Sequence, residues 1–69
     1  MNPVEALRAL TVLSLLETAA RLEVRTGAVA AKYCRDTWAC IAELECGCHS
    51  EEAAKALVSS AEHWLEGAA

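Results

Sequence analysis

Helix breakers are scarce in this chain: its 69 residues include one proline and three glycines. That scarcity, set beside fifteen alanines, excludes a turn-rich β architecture and predicts an all-α fold, because alanine is the strongest helix former. Basic residues are few as well. Six lysines and arginines stand against ten acids, for a net charge of −4. Non-specific nucleic-acid binding needs a basic surface to displace counterions, so no nucleic-acid partner is expected. An acidic surface instead suits a protein partner with a basic face.

Long apolar runs are missing too. The longest uncharged stretch, ALTVLSLL at residues 9–16, is far too short to span a bilayer. The start, MNPVEALRAL, has no basic n-region and carries Glu5 early, unlike a signal peptide. Neither a membrane partner nor export is expected. The chain reads as cytoplasmic, where its four cysteines would stay reduced.

What is present forms one domain, residues 1–69. Of 38 hydrophobic residues, fifteen are alanine and four cysteine, leaving nineteen larger apolar side chains. A core of that size is marginal alone and calls for a staple or for self-association. Three helices are expected, near residues 3–24, 28–46 and 51–66, in a small bundle completed by self-association.

Asn2 before Pro3 is a good helix start, an N-cap followed by proline at the first helical position. In the first helix Val4, Leu7, Leu10, Val12, Leu13, Leu15 and Leu16 occupy almost every sector of the wheel. A helix apolar all round must be covered on more than one side. In LEVRTGAV, residues 22–29, Thr26 and Gly27 offer a cap and a bend that end it.

The second helix has an apolar stripe of Ala30, Tyr33, Cys34, Thr37, Trp38, Ile41 and Leu44. Gly47 fits the position after its end, where a left-handed conformation is cheap for glycine. Ser50 is the expected N-cap of the third helix, and Glu51 and Glu52 complement its dipole. That helix turns Ala54, Leu57, Val58, Ala61, Trp64 and Leu65 inward, and Glu52, Lys55, Ser59, His63 and Glu66 outward.

The chemically loaded stretch is ECGCHSEE, residues 45–52. Cys34, Cys40 and Cys46 recur every six residues, so their thiols point about 120° apart around one helix and cannot converge on one metal. Cys34 is expected to be a buried structural thiol, Cys40 at the rim of the stripe and Cys46 on the far side. Disulfides within the helix fail on distance, leaving intermolecular bridges through Cys40 or Cys46. Cys46, Cys48 and His49 supply three soft ligands, whereas a structural zinc site needs four. Zinc would therefore require a subunit boundary. His63 comes level with Cys34, but the wheel turns it to solvent, so no nucleophile has a base.

Residues 33–57 resemble part of the carboxymuconolactone decarboxylase and alkylhydroperoxidase superfamily, whose all-α members carry C-x-x-C-x-x-x-H on one helix before a glycine turn. Cys34 matches the second motif cysteine, Gly47 the turn glycine, and Glu51 with Glu52 the acidic start of the next helix. The first motif cysteine falls on Ala31 and the histidine on Trp38. These departures remove the redox disulfide and the proton relay, so the resemblance implies a helical hairpin without the activity.

The function expected is that of a non-catalytic, acidic helical module for protein–protein interaction, with no cofactor. It is expected to form a homodimer and to dock on a larger protein, as phage-encoded inhibitors of this size do by analogy. The expected association residues are Leu7, Leu10, Leu13 and Leu16, with Trp38 and Trp64 as candidate anchors. Aromatics on amphipathic stripes ordinarily sit in the core, which is the plainer expectation for both tryptophans. The alternative is a zinc- or thiol-dependent protein using Cys46, Cys48 and His49 between subunits.

Overall fold

The computed structural model describes residues 2–47 and 51–67. Three helices pack against one another: α1 (Pro3–Glu23), α2 (Ala28–Glu45) and α3 (Glu51–Gly67). This is the small three-helix bundle expected, with boundaries within a residue of those read from the sequence. Among the described residues there is no strand.

The helix ends follow from local chemistry. The Glu5 amide donates to Asn2 Oδ1 at 2.8 Å, and Pro3 fills the first turn, where an amide proton has no helical acceptor. The break between α1 and α2 falls at Gly27, which adopts φ 106° and ψ 165°, a region open essentially to glycine alone. Gly27 itself is the N-cap of α2 and no side chain caps that end, so Thr26 does not take the capping role expected of it. Gly47, at φ 78°, follows the last turn of α2 as expected, and its amide donates to the Leu44 carbonyl at 3.1 Å. Ser50, the expected cap of α3, lies outside the described residues.

Two apolar clusters hold the helices together. Leu15, Cys40, Ile41, Leu44 and Ala54 form one, with Val12, Leu57 and Val58 against it. Leu22, Ala61 and Leu65 form the other, flanked by Tyr33, Cys34 and Trp64. α1 packs on both other helices, while α2 and α3 meet each other least. At one such meeting Tyr33 and Trp64 pack with ring centroids 5.9 Å apart, and the Tyr33 hydroxyl shares a 2.9 Å hydrogen bond with Ser60.

The buried face of α2 departs from the expected stripe. Ala30, Thr37, Cys40, Ile41 and Leu44 are buried, whereas Trp38 is 45% exposed. The stripe is rotated by about 40° away from Trp38 and toward Cys40. Its cause is α3, which lies on the Cys40 side and shares a groove there lined by Ala39, Cys40, Ala53 and Leu57. The α3 expectation holds: Ala54, Ala61 and Leu65 are buried, Leu57, Val58 and Trp64 partly so, and the five polar residues named for its outer side are exposed.

Candidate interaction surface

α1 is apolar on two opposite sides, only one of which packs on the bundle. It buries Thr11, Leu15, Thr18, Ala19 and Leu22 against α2 and α3. The two threonines stay tolerable there because each hydroxyl donates to a carbonyl one turn back, Leu7 at 3.0 Å and Ser14 at 2.9 Å. The other four leucines meanwhile are exposed. Leu10 is 64% and Leu13 58% exposed, and Leu7, Leu16 and Val4 are exposed as well. At 100° per residue, Leu13 points directly away from the mean direction of the five buried residues.

Exposed Ala9 and Ala20 and half-buried Ala6 extend this outer face along the helix. Glu17 lies within it, and exposed Arg21, one turn later, falls between the directions of Leu10 and Leu7. On the α3 side the face runs into a groove of about 200 Å³ lined by Leu7, Leu10, Thr11, Ser14, Lys55 and Val58. Among the described residues eight large hydrophobic side chains are exposed, while five large aliphatic ones, Leu15, Leu22, Ile41, Leu44 and Leu65, are buried. A monomer rarely leaves so contiguous an apolar patch uncovered.

The two tryptophans have different surroundings. Trp38 lies on the surface, its Nε1 donating to Glu23 Oε1 at 3.2 Å and so tying α2 to the end of α1. Trp64 is half-buried against Tyr33 and the second cluster. Neither is fully buried, so the core expectation fails for Trp38 and holds only partly for Trp64. Neither adjoins the outer leucine face: Trp38 sits on the α2 side of the bundle and Trp64 beside the buried Leu22.

The cysteines diverge as their spacing requires, with two corrections. Cys40 is buried in the first cluster, 3% exposed, and Cys34 is only half-buried. The same rotation of α2 toward α3 accounts for both. Burial, reinforced by the nearby Glu43 carboxylate, pushes the Cys40 thiol above its ordinary pKa. It is therefore a poor thiolate and does not offer the intermolecular bridge expected of it. Cys46 is exposed, its thiol 3.2 Å from the Glu43 carbonyl. Cys48 and His49 lie outside the described residues. Among the described residues, no three histidine, cysteine, aspartate or glutamate side chains are grouped to hold a metal ion. His63 is exposed, on the outer side of α3 as expected.

Sequence reasoning named the leucines and Thr37 but missed the buried threonines of α1. Thr11, Leu15, Thr18 and Leu22 repeat at helical spacing, but so do the exposed Leu10, Leu13 and Leu16 of the same helix. Among the described residues, no helix is long and apolar enough to cross a membrane. No protein-family model matches the chain, and no curated protein or solved structure is significantly similar to it. The likeness of residues 33–57 to the decarboxylase and hydroperoxidase superfamily thus rests on a helix–glycine–helix hairpin and nothing further.

Proposed function

We propose that this chain is a non-catalytic protein-interaction module whose working surface is the outer face of α1. One observation carries the reading: α1 buries only two of its six leucines, Leu15 and Leu22, and leaves Leu7, Leu10, Leu13 and Leu16 exposed to water. Burying an exposed leucine is worth about 1.5–3 kcal/mol, so a protein that covers this face gains several such contributions. The acidic surface would suit basic residues around the contact, and docking would block whatever the larger protein does with the covered region. The four leucines Leu7, Leu10, Leu13 and Leu16 are the contact residues of this proposal. A Leu10→Glu, Leu13→Glu double variant tests it. The variant should keep its helical circular-dichroism signal, because both side chains leave the core untouched. It should lose every protein that the unaltered chain retains in affinity purification from its native host. Retention of the same proteins by both chains would remove the leucine face from the function.

A further inference from the structure

The occupant that the outer face of α1 fits is a second copy of this chain. We infer that two copies pair α1 against α1 in antiparallel fashion, about a twofold axis through Leu13. This rests on the reading of α1 as the working surface, and names what covers it.

Two observations support the pairing. The face is self-complementary about Leu13: alanine stands seven residues away on either side, at Ala6 and Ala20, and leucine three residues away, at Leu10 and Leu16. A twofold interface requires the same patch to match itself, and this axis brings Ala6 level with the second copy's Ala20 and Leu10 level with its Leu16.

Charge selects the antiparallel direction. Glu17 lies two turns beyond Leu10, on the α3 side of the face. Parallel copies would set Glu17 beside its own equivalent. Antiparallel copies carry it along the α3 side toward the second copy's Lys55, because Lys55 stands level with Leu7, Leu10 and Ser14 in the groove. Glu5 and the second copy's Glu23 come to one end together, about 15 Å from the axis, where helices crossing at an angle have separated.

The pairing sets an area requirement. A standard interface takes about 800 Å² from each partner, less than a fifth of the 4494 Å² this chain exposes. The α1 face is about 30 Å long, and the Lys55 and Val58 rim of the groove widens it.

Sedimentation of the purified full chain tests the pairing. The unaltered chain should show a concentration-dependent dimer, and Leu13→Glu should weaken it about a hundredfold with its helix content unchanged. Glu17→Lys and Lys55→Glu should each weaken self-association about tenfold, and mixing the E17K and K55E chains should restore it, since both cross-copy pairs are then opposite in charge. A dimer that Leu13→Glu leaves intact would place the interface elsewhere. Tighter association on Glu17→Gln, with no rescue on mixing, would overturn the antiparallel direction. A monomer whose leucine face still retains another protein would overturn the second copy alone. A monomer whose retained proteins ignore the leucine substitutions would overturn the module reading with it.

Discussion

Leu13 and Leu15 stand two residues apart on α1 with opposite surroundings, one 58% exposed and the other fully buried. Leu15→Ala should cost about 2–5 kcal/mol in urea unfolding, because it opens a cavity among Cys40, Ile41 and Leu44. Leu13→Ala at the same high dilution should change stability by less than about 0.5 kcal/mol. Equal losses at the two positions would mean that the helix face is assigned wrongly. Cys40 makes a second prediction. Its thiol is held neutral in the fold and ionises more readily in the unfolded chain. The unfolded state therefore releases a proton first as pH rises, and stability falls from about the ordinary thiol pKa of 9.0 upward. Cys40→Ala should flatten that alkaline decline in pH-dependent melting, while Cys46→Ala, at an exposed position, should leave it in place. The four exposed leucines were named from the sequence, but the side of α1 that packs on the bundle was not legible from α1 alone. Its apolar residues surround the helix, and the buried hydroxyls of Thr11 and Thr18 are satisfied within it, so neither type signals its side.

The ends of the helices were legible because caps are local. Asn2, Pro3, Gly27 and Gly47 act through their own backbone or the next turn, and each sits at or beside a helix end. Gly27→Ala should cost about 1–3 kcal/mol, entirely from backbone conformation, since an added Cβ there meets nothing within 4 Å. Asn2→Ala should cost about 1 kcal/mol through the lost cap. Thermal melts of the two variants would rank them, and a harmless Gly27→Ala would show that the α1–α2 break does not need its positive φ. The rotation of α2 was not legible. Periodicity gives a stripe, but the side on which α3 lies against it is fixed by a contact between residues distant in the chain. That contact exposed Trp38 and buried Cys40.

The molecule as a whole is drawn out, 38 × 18 × 17 Å, with a radius of gyration of 12.1 Å against about 11 Å for a compact chain of this length. Such a shape leaves the full length of α1 available to a second molecule. If two copies pair there, association adds to stability by mass action, and the melting temperature should climb with protein concentration. In Leu13→Glu the melting temperature should be independent of concentration. A concentration-independent melt of the unaltered chain would argue against pairing by a route separate from sedimentation.

The buried hydroxyls of Thr11, Thr18 and Thr37 each bind a carbonyl of their own helix. They travel with that helix and fasten it to no neighbour. Two hydrogen bonds that do reach between helices, Tyr33 with Ser60 and Trp38 to Glu23, lie at the surface, where water can take either place. Around these three threonines the interior thus works as a greased bearing rather than a latch: the fit of side chains, not their hydroxyls, resists sliding of one helix along the next.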